Sequence, residues 1–133
     1  MNKEFVPYDL ALALKELGFD EPCIGFYTQN AYGSTLEQKV QYWREPIGGN
    51  DDYVFVLAPL YQQAFRWFRE KYGLWVRFSY DENELEEMYW YVDKAFESGI
   101  GPLFFDDLEE FNTYEEAELE CLKKLIEIAK EQK

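Results

Sequence analysis

Apolar positions along the chain change period several times, and each change marks an element. Between Tyr8 and Leu17 the residues Leu10, Ala13, Leu14 and Leu17 recur at helical spacing, Pro7 stands at the first turn and Gly18 follows as a stop. This predicts a short amphipathic helix. Cys23 to Thr28 is rich in β-branched and aromatic residues, Leu36 to Trp43 alternates loosely, and Asn30 to Ser34 supplies turn residues between them. A hairpin is expected there. After a turn over Pro46 to Asp52, Tyr53 to Leu57 reads as a third strand that ends before Pro59.

Tyr61 to Tyr72 is the clearest helix, because Tyr61, Ala64, Phe65, Phe68 and Tyr72 fall on one face and Gly73 terminates it. Trp67 lies at the flank of that stripe. In Trp75 to Tyr80, Trp75, Arg77 and Ser79 alternate with Val76, Phe78 and Tyr80, the pattern of a half-buried strand. The next segment has two periods. Leu85, Met88, Tyr89, Val92 and Phe96 have helical spacing, yet Tyr89 to Val92 is strongly β-prone. We read Met88 to Lys94 as a strand, since the preceding strand needs a neighbour. Ser98 to Asn112 has no period and reads as a loop pinned by aromatics. Thr113 with Glu116 three residues on forms a capping box, and opens a final helix whose apolar arc runs through Tyr114, Ala117, Cys121, Leu122, Leu125, Ile126, Ile128 and Ala129.

The fold class expected from this pattern is α+β: an antiparallel sheet of about five strands with three helices packed on one face, in the order αβββαββα. At 133 residues, the chain is expected to fold as a single domain over 1–133. Four Trp, eleven Tyr and eleven Phe distributed along it argue against disorder. Met1 to Gly18 contains acids and only a short apolar run, which suits neither a signal peptide nor a membrane span, so a cytoplasmic location is expected. Cys23 and Cys121 form no CxxC pair and are expected to be buried thiols.

Charge changes this picture most. Residues 81–120 hold fifteen of the twenty-seven acids and one base, Lys94; the remaining twelve acids are balanced by twelve bases. The net charge of −14 is therefore local. Such a region repels nucleic acid and anionic membranes and attracts basic protein surfaces. Glu118 stands out, because it falls near the middle of the last helix's apolar arc. A carboxylate there must reach water, take up a proton or find a partner, such as a tyrosine or Arg77.

Catalytic signals are missing. The chain has no histidine, which excludes HExxH and His-containing zinc sites. Neither GxxxxGK nor GxGxxG occurs, the serines lack a GxSxG elbow, and Asp81 to Glu84 does not continue into a calcium-binding EF-hand. A carboxylate pair acting on a glycoside is the remaining enzymatic chemistry, and it depends on a separation that sequence does not give. We therefore expect no catalytic residue, no cofactor and no dedicated metal site.

Three stretches, ELGFDEPC at Glu16–Cys23, YQQAFRWFREKY at Tyr61–Tyr72 and TYEEAELECLKKLIEI at Thr113–Ile128, resemble a group of small uncharacterised proteins encoded by gut Bacteroidetes and by their phages and mobile elements. The resemblance covers less than half of the chain. It implies a bacterial or phage setting and carries no functional residue.

The function expected is that of a non-enzymatic acidic interaction protein that presents two acidic segments, Asp81 to Glu87 and Asp106 to Glu120, to a basic protein surface, with Asp106, Asp107, Glu109, Glu110, Glu115 and Glu116 as contact residues. Direct binding to nucleic acid or membrane is not expected, and oligomeric state is not set by the sequence. The alternative is a small-molecule module for a nucleotide or sugar, or a small enzyme, in which tryptophans stack a ring and Arg66, Trp67 and Arg69 form the site.

Overall fold

In the computed structural model, which describes residues 4–30, 33–43, 54–82, 84–103 and 110–132, three helices and six strands follow the expected order with one addition, a two-residue strand at Gly101–Pro102 within the segment expected to be a loop. They are α1 (Tyr8–Glu16), β1 (Cys23–Asn30), β2 (Gly33–Trp43), β3 (Val54–Ala58), α2 (Tyr61–Tyr72), β4 (Leu74–Glu82), β5 (Met88–Glu97), β6 (Gly101–Pro102) and α3 (Tyr114–Glu131). The fold is α+β and its ladders are antiparallel. One feature differs from the pattern's expectation. Among the described residues the strands pair as two sheets of three, β2-β1-β3 and β4-β5-β6, in place of one sheet of about five. Alternation tells which face a strand buries, whereas its partners depend on turns and backbone hydrogen bonds.

The chain divides into two units, Met1–Ala64 and Phe65–Lys133, with the division inside α2. In the first unit β1 is central and α1 packs against β3. Helix α1 ends where Gly18, at φ +100°, turns the chain, with Gly18 N–H donating to Lys15 O and Phe19 N–H to Leu14 O. This is the Schellman arrangement, and it buries Phe19 and Leu14. Gly25 leaves room for the Phe5 ring, which lies within 2.5 Å of where a Cβ would stand. Tyr27 donates its hydroxyl to Val6 O at 2.8 Å, and Gln63 its amide to Pro22 O at 2.8 Å. The turn over 46–52 lies outside the described residues.

In the second unit β4 and β5 form a hairpin that β6 extends through Phe96↔Pro102 and Glu97↔Gly101. Segment 84–96, which sequence leaves between helix and strand, is a turn followed by β5. Phe78 on the inner face of β4 meets Phe65 of α2 and Tyr114 of α3 edge-on, at 5.7 and 5.4 Å between ring centres. Helix α3 opens as its capping signal requires, with Thr113 Oγ1 accepting from Glu116 N–H at 3.1 Å. It then buries Ala117, Glu118, Cys121, Leu122, Leu125, Ile126 and Ala129. Cys23 and Cys121 are both buried thiols. Burial pushes each up to about 12, with Glu21 adding to the effect at Cys23, so neither is a thiolate at neutral pH.

Candidate functional site

The outer face of β4 and β5 carries the unit's chemistry because each strand sends alternate residues away from α3. Leu74, Val76 and Phe78 point inward, which leaves Trp75 and Arg77 outward on β4; on β5, Ala95 is buried while Phe96 and Lys94 are exposed. The register pairs Trp75 with Phe96 and Arg77 with Lys94, and then slips by one residue between Arg77 and Phe78. Asp93 is the extra residue at that bulge, and the bulge brings its carboxylate to the same face as Arg77.

These side chains form two adjoining groups. Trp75 and Phe96 lie parallel, with ring centres 5.8 Å apart and planes 2° from each other, and remain 41% and 42% exposed. Trp75 is fixed by its indole N–H, which donates to Ser98 Oγ at 3.1 Å, and by the Arg69 guanidinium, 5.5 Å from its ring centre. Beside them Arg77 Nε donates to Asp93 Oδ2 at 2.8 Å, and its Nη2 donates to the same oxygen. That pairing holds the Asp93 carboxyl below the ordinary carboxylate range. Arg69, Trp75, Val76, Arg77, Lys94 and Phe96 together line a groove of about 520 Å³.

The far end of the same strands is acidic. Asp81, Glu82, Glu84, Glu86 and Glu87 are all exposed around the turn between β4 and β5, and Leu85 and Met88 stand exposed among them at 77% and 46%. Glu110 of the second acidic segment is brought to the same place. Phe111 bridges Trp90 through paired backbone hydrogen bonds of 2.8 and 2.9 Å, which sets Glu110 beside β5. Tyr89 registers both segments: loss of solvent around its ring raises its phenol, and the charges of Asp81 and then Glu110 raise it further. Glu86 holds φ +61°, a left-handed conformation that L side chains adopt at a cost.

Of the acids expected to form a contact surface, Glu110, Glu115 and Glu116 are exposed, and Asp106, Asp107 and Glu109 lie outside the described residues. Of the alternative ligand set, only Arg69 lines the groove; Arg66 is exposed elsewhere on α2. Trp67 is a correction. It is 4% exposed and packs edge-on against Phe68 and Tyr72, so it belongs to the core and cannot stack a ligand. Of the partners expected for Glu118, Arg77 is held by Asp93, and Tyr114 lies near enough that, after burial, the charge of Glu118 raises its phenol. Lys94 and Phe96 were not candidates on sequence, although Lys94 is the single base in the acidic window.

No protein-family model matches the chain, and neither a curated protein nor a solved structure matches it. Among the described residues no helix is long and apolar enough to cross a membrane.

Proposed function

We propose that the protein is a non-enzymatic interaction protein whose acidic end, the 81–87 turn with Glu110 and the first turn of α3, binds a basic protein surface. The observation that carries this reading is the composition of that end: five exposed acids in the turn surround exposed Leu85 and Met88, while Glu110 of the second acidic segment adjoins Tyr89. Apolar anchors inside a one-signed rim suit protein recognition better than simple solvation does. A glutamate kept at φ +61°, where glycine would relax, points the same way. With the sequence resemblance, this reading makes the protein a cytoplasmic modulator carried by a phage or mobile element of gut Bacteroidetes, with a basic host protein as its target.

Capture of the tagged protein from such a host's lysate tests this. The expected result is a stoichiometric basic partner at low salt that is reduced at physiological salt, because steering between exposed charges is screened over about 8 Å. Recovery of no basic partner at low salt contradicts it. A second reading, a small-molecule binding module, is favoured by the groove that joins Arg69, Arg77 and Lys94 to a parallel Trp75–Phe96 pair.

A further inference from the structure

We infer that the outer face of β4 and β5 binds a small ligand in which an anionic group is attached to a flat aromatic ring, an inference that rests on reading the groove as a binding site. The charge of the groove opposes that of the chain. Arg69, Arg77 and Lys94 line it, against one carboxylate on Arg77, that of Asp93, in a protein of net charge −14. Among the described residues two positive charges are thus left over, which selects an anion.

The rings supply the second half. Trp75 is oriented before any ligand arrives, by Ser98 and by Arg69, so a ring that stacks on the Trp75–Phe96 surface does so without ordering it first. The Arg77–Lys94 pair follows the Trp75–Phe96 pair by one pleat repeat, a separation of roughly 7 Å. Ring and anion must therefore be joined through a short link. The groove's volume of about 520 Å³ falls in the range of roughly 300–1,000 Å³ that small ligands occupy. A long polyanion is disfavoured, since the same two strands end in the acidic turn.

Two sources share this chemistry, nucleoside monophosphates and aromatic carboxylates, and calorimetric titration of the whole protein at low salt separates them. The probes are AMP, indole-3-acetate, inorganic phosphate and adenosine. AMP or indole-3-acetate is expected to bind at least about tenfold more tightly than either phosphate or adenosine, since both halves of the groove are engaged only by a joined ligand. AMP as the tighter of the two names a phosphate ligand, and indole-3-acetate a carboxylate. Lys94→Gln is expected to weaken binding several-fold. Asp93→Asn, which keeps the shape and releases Arg77, is expected to tighten it several-fold, a gain that a purely structural Asp93 would not give. Both variants are checked for native circular dichroism.

Phosphate that binds as tightly as AMP overturns the ring component and leaves the groove a simple anion site. No binding by any of the four probes overturns the groove reading itself. A low-salt dimer that AMP does not dissolve would assign the groove to the acidic turn of a second copy and overturn the small ligand. The titration results leave the acidic-end proposal untouched, whereas such a dimer would give the acidic turn a second copy of this chain as its partner.

Discussion

Glu118 is a carboxyl 6% exposed on the buried side of α3. Burial, assisted by the charge of Glu115, pushes it up to about 7, so the folded protein holds a proton there that the unfolded chain has already released. Between the unfolded value of 4.5 and about 7, stability therefore falls as pH rises, and the cost stays in place above that window. Glu118→Gln removes the charge and keeps the shape. We expect it to raise stability at pH 8 by about 1–3 kcal/mol and to leave it nearly unchanged at pH 4. Urea denaturation of both proteins across this range measures the difference. The oddity of Glu118 was legible in the sequence, because an acid in an apolar arc is visible without coordinates. Which of its two expected kinds of neighbour, a tyrosine or Arg77, stands beside it was not, because Arg77's choice of Asp93 follows from a bulge that no period announces.

At the scale of elements, α2 was read from Tyr61 to Tyr72, the span it occupies, because its apolar stripe, Gly73 and helical length all agree. Phe68 in that stripe is fully buried, and Phe68→Ala is expected to cost about 3–5 kcal/mol of unfolding free energy, measured in urea. Its neighbour Trp67 shows where the stripe misleads: a residue at the flank of one face is buried when a Phe and a Tyr close around it. The groove was half legible. Alternation places Trp75 and Arg77 on one face of β4, but Lys94 and Phe96 join them only through strand register, which the sequence does not encode locally. The β4–β5 turn yields its own prediction. Glu86→Gly relieves the left-handed strain, so stability should hold or rise by up to about 1 kcal/mol. Partner binding should weaken all the same, since the turn loses a charge. Unchanged binding would assign Glu86 to turn geometry alone.

Across the whole molecule, sequence showed that the net charge of −14 was concentrated in 81–120 but not that the β4–β5 strand ends and Glu110 meet. Their meeting depends on two backbone hydrogen bonds between Trp90 and Phe111, a contact between segments that lack a shared pattern. Acids crowded around the turn and Glu110 repel one another in the folded state, so moderate salt is expected to stabilise the protein. The melting temperature should climb by a few degrees between about 10 mM and about 150 mM salt, and a flat or falling curve would mean that those acids are already compensated. The central claim is that this acidic end is the binding surface. It is tested most directly by lysate capture with wild type beside a variant carrying Asp81→Asn, Glu110→Gln, Glu115→Gln and Glu116→Gln. We predict that the variant folds, melts at a higher temperature at low salt and loses the basic partner; a variant that retains the same partner at the same stoichiometry would contradict the claim.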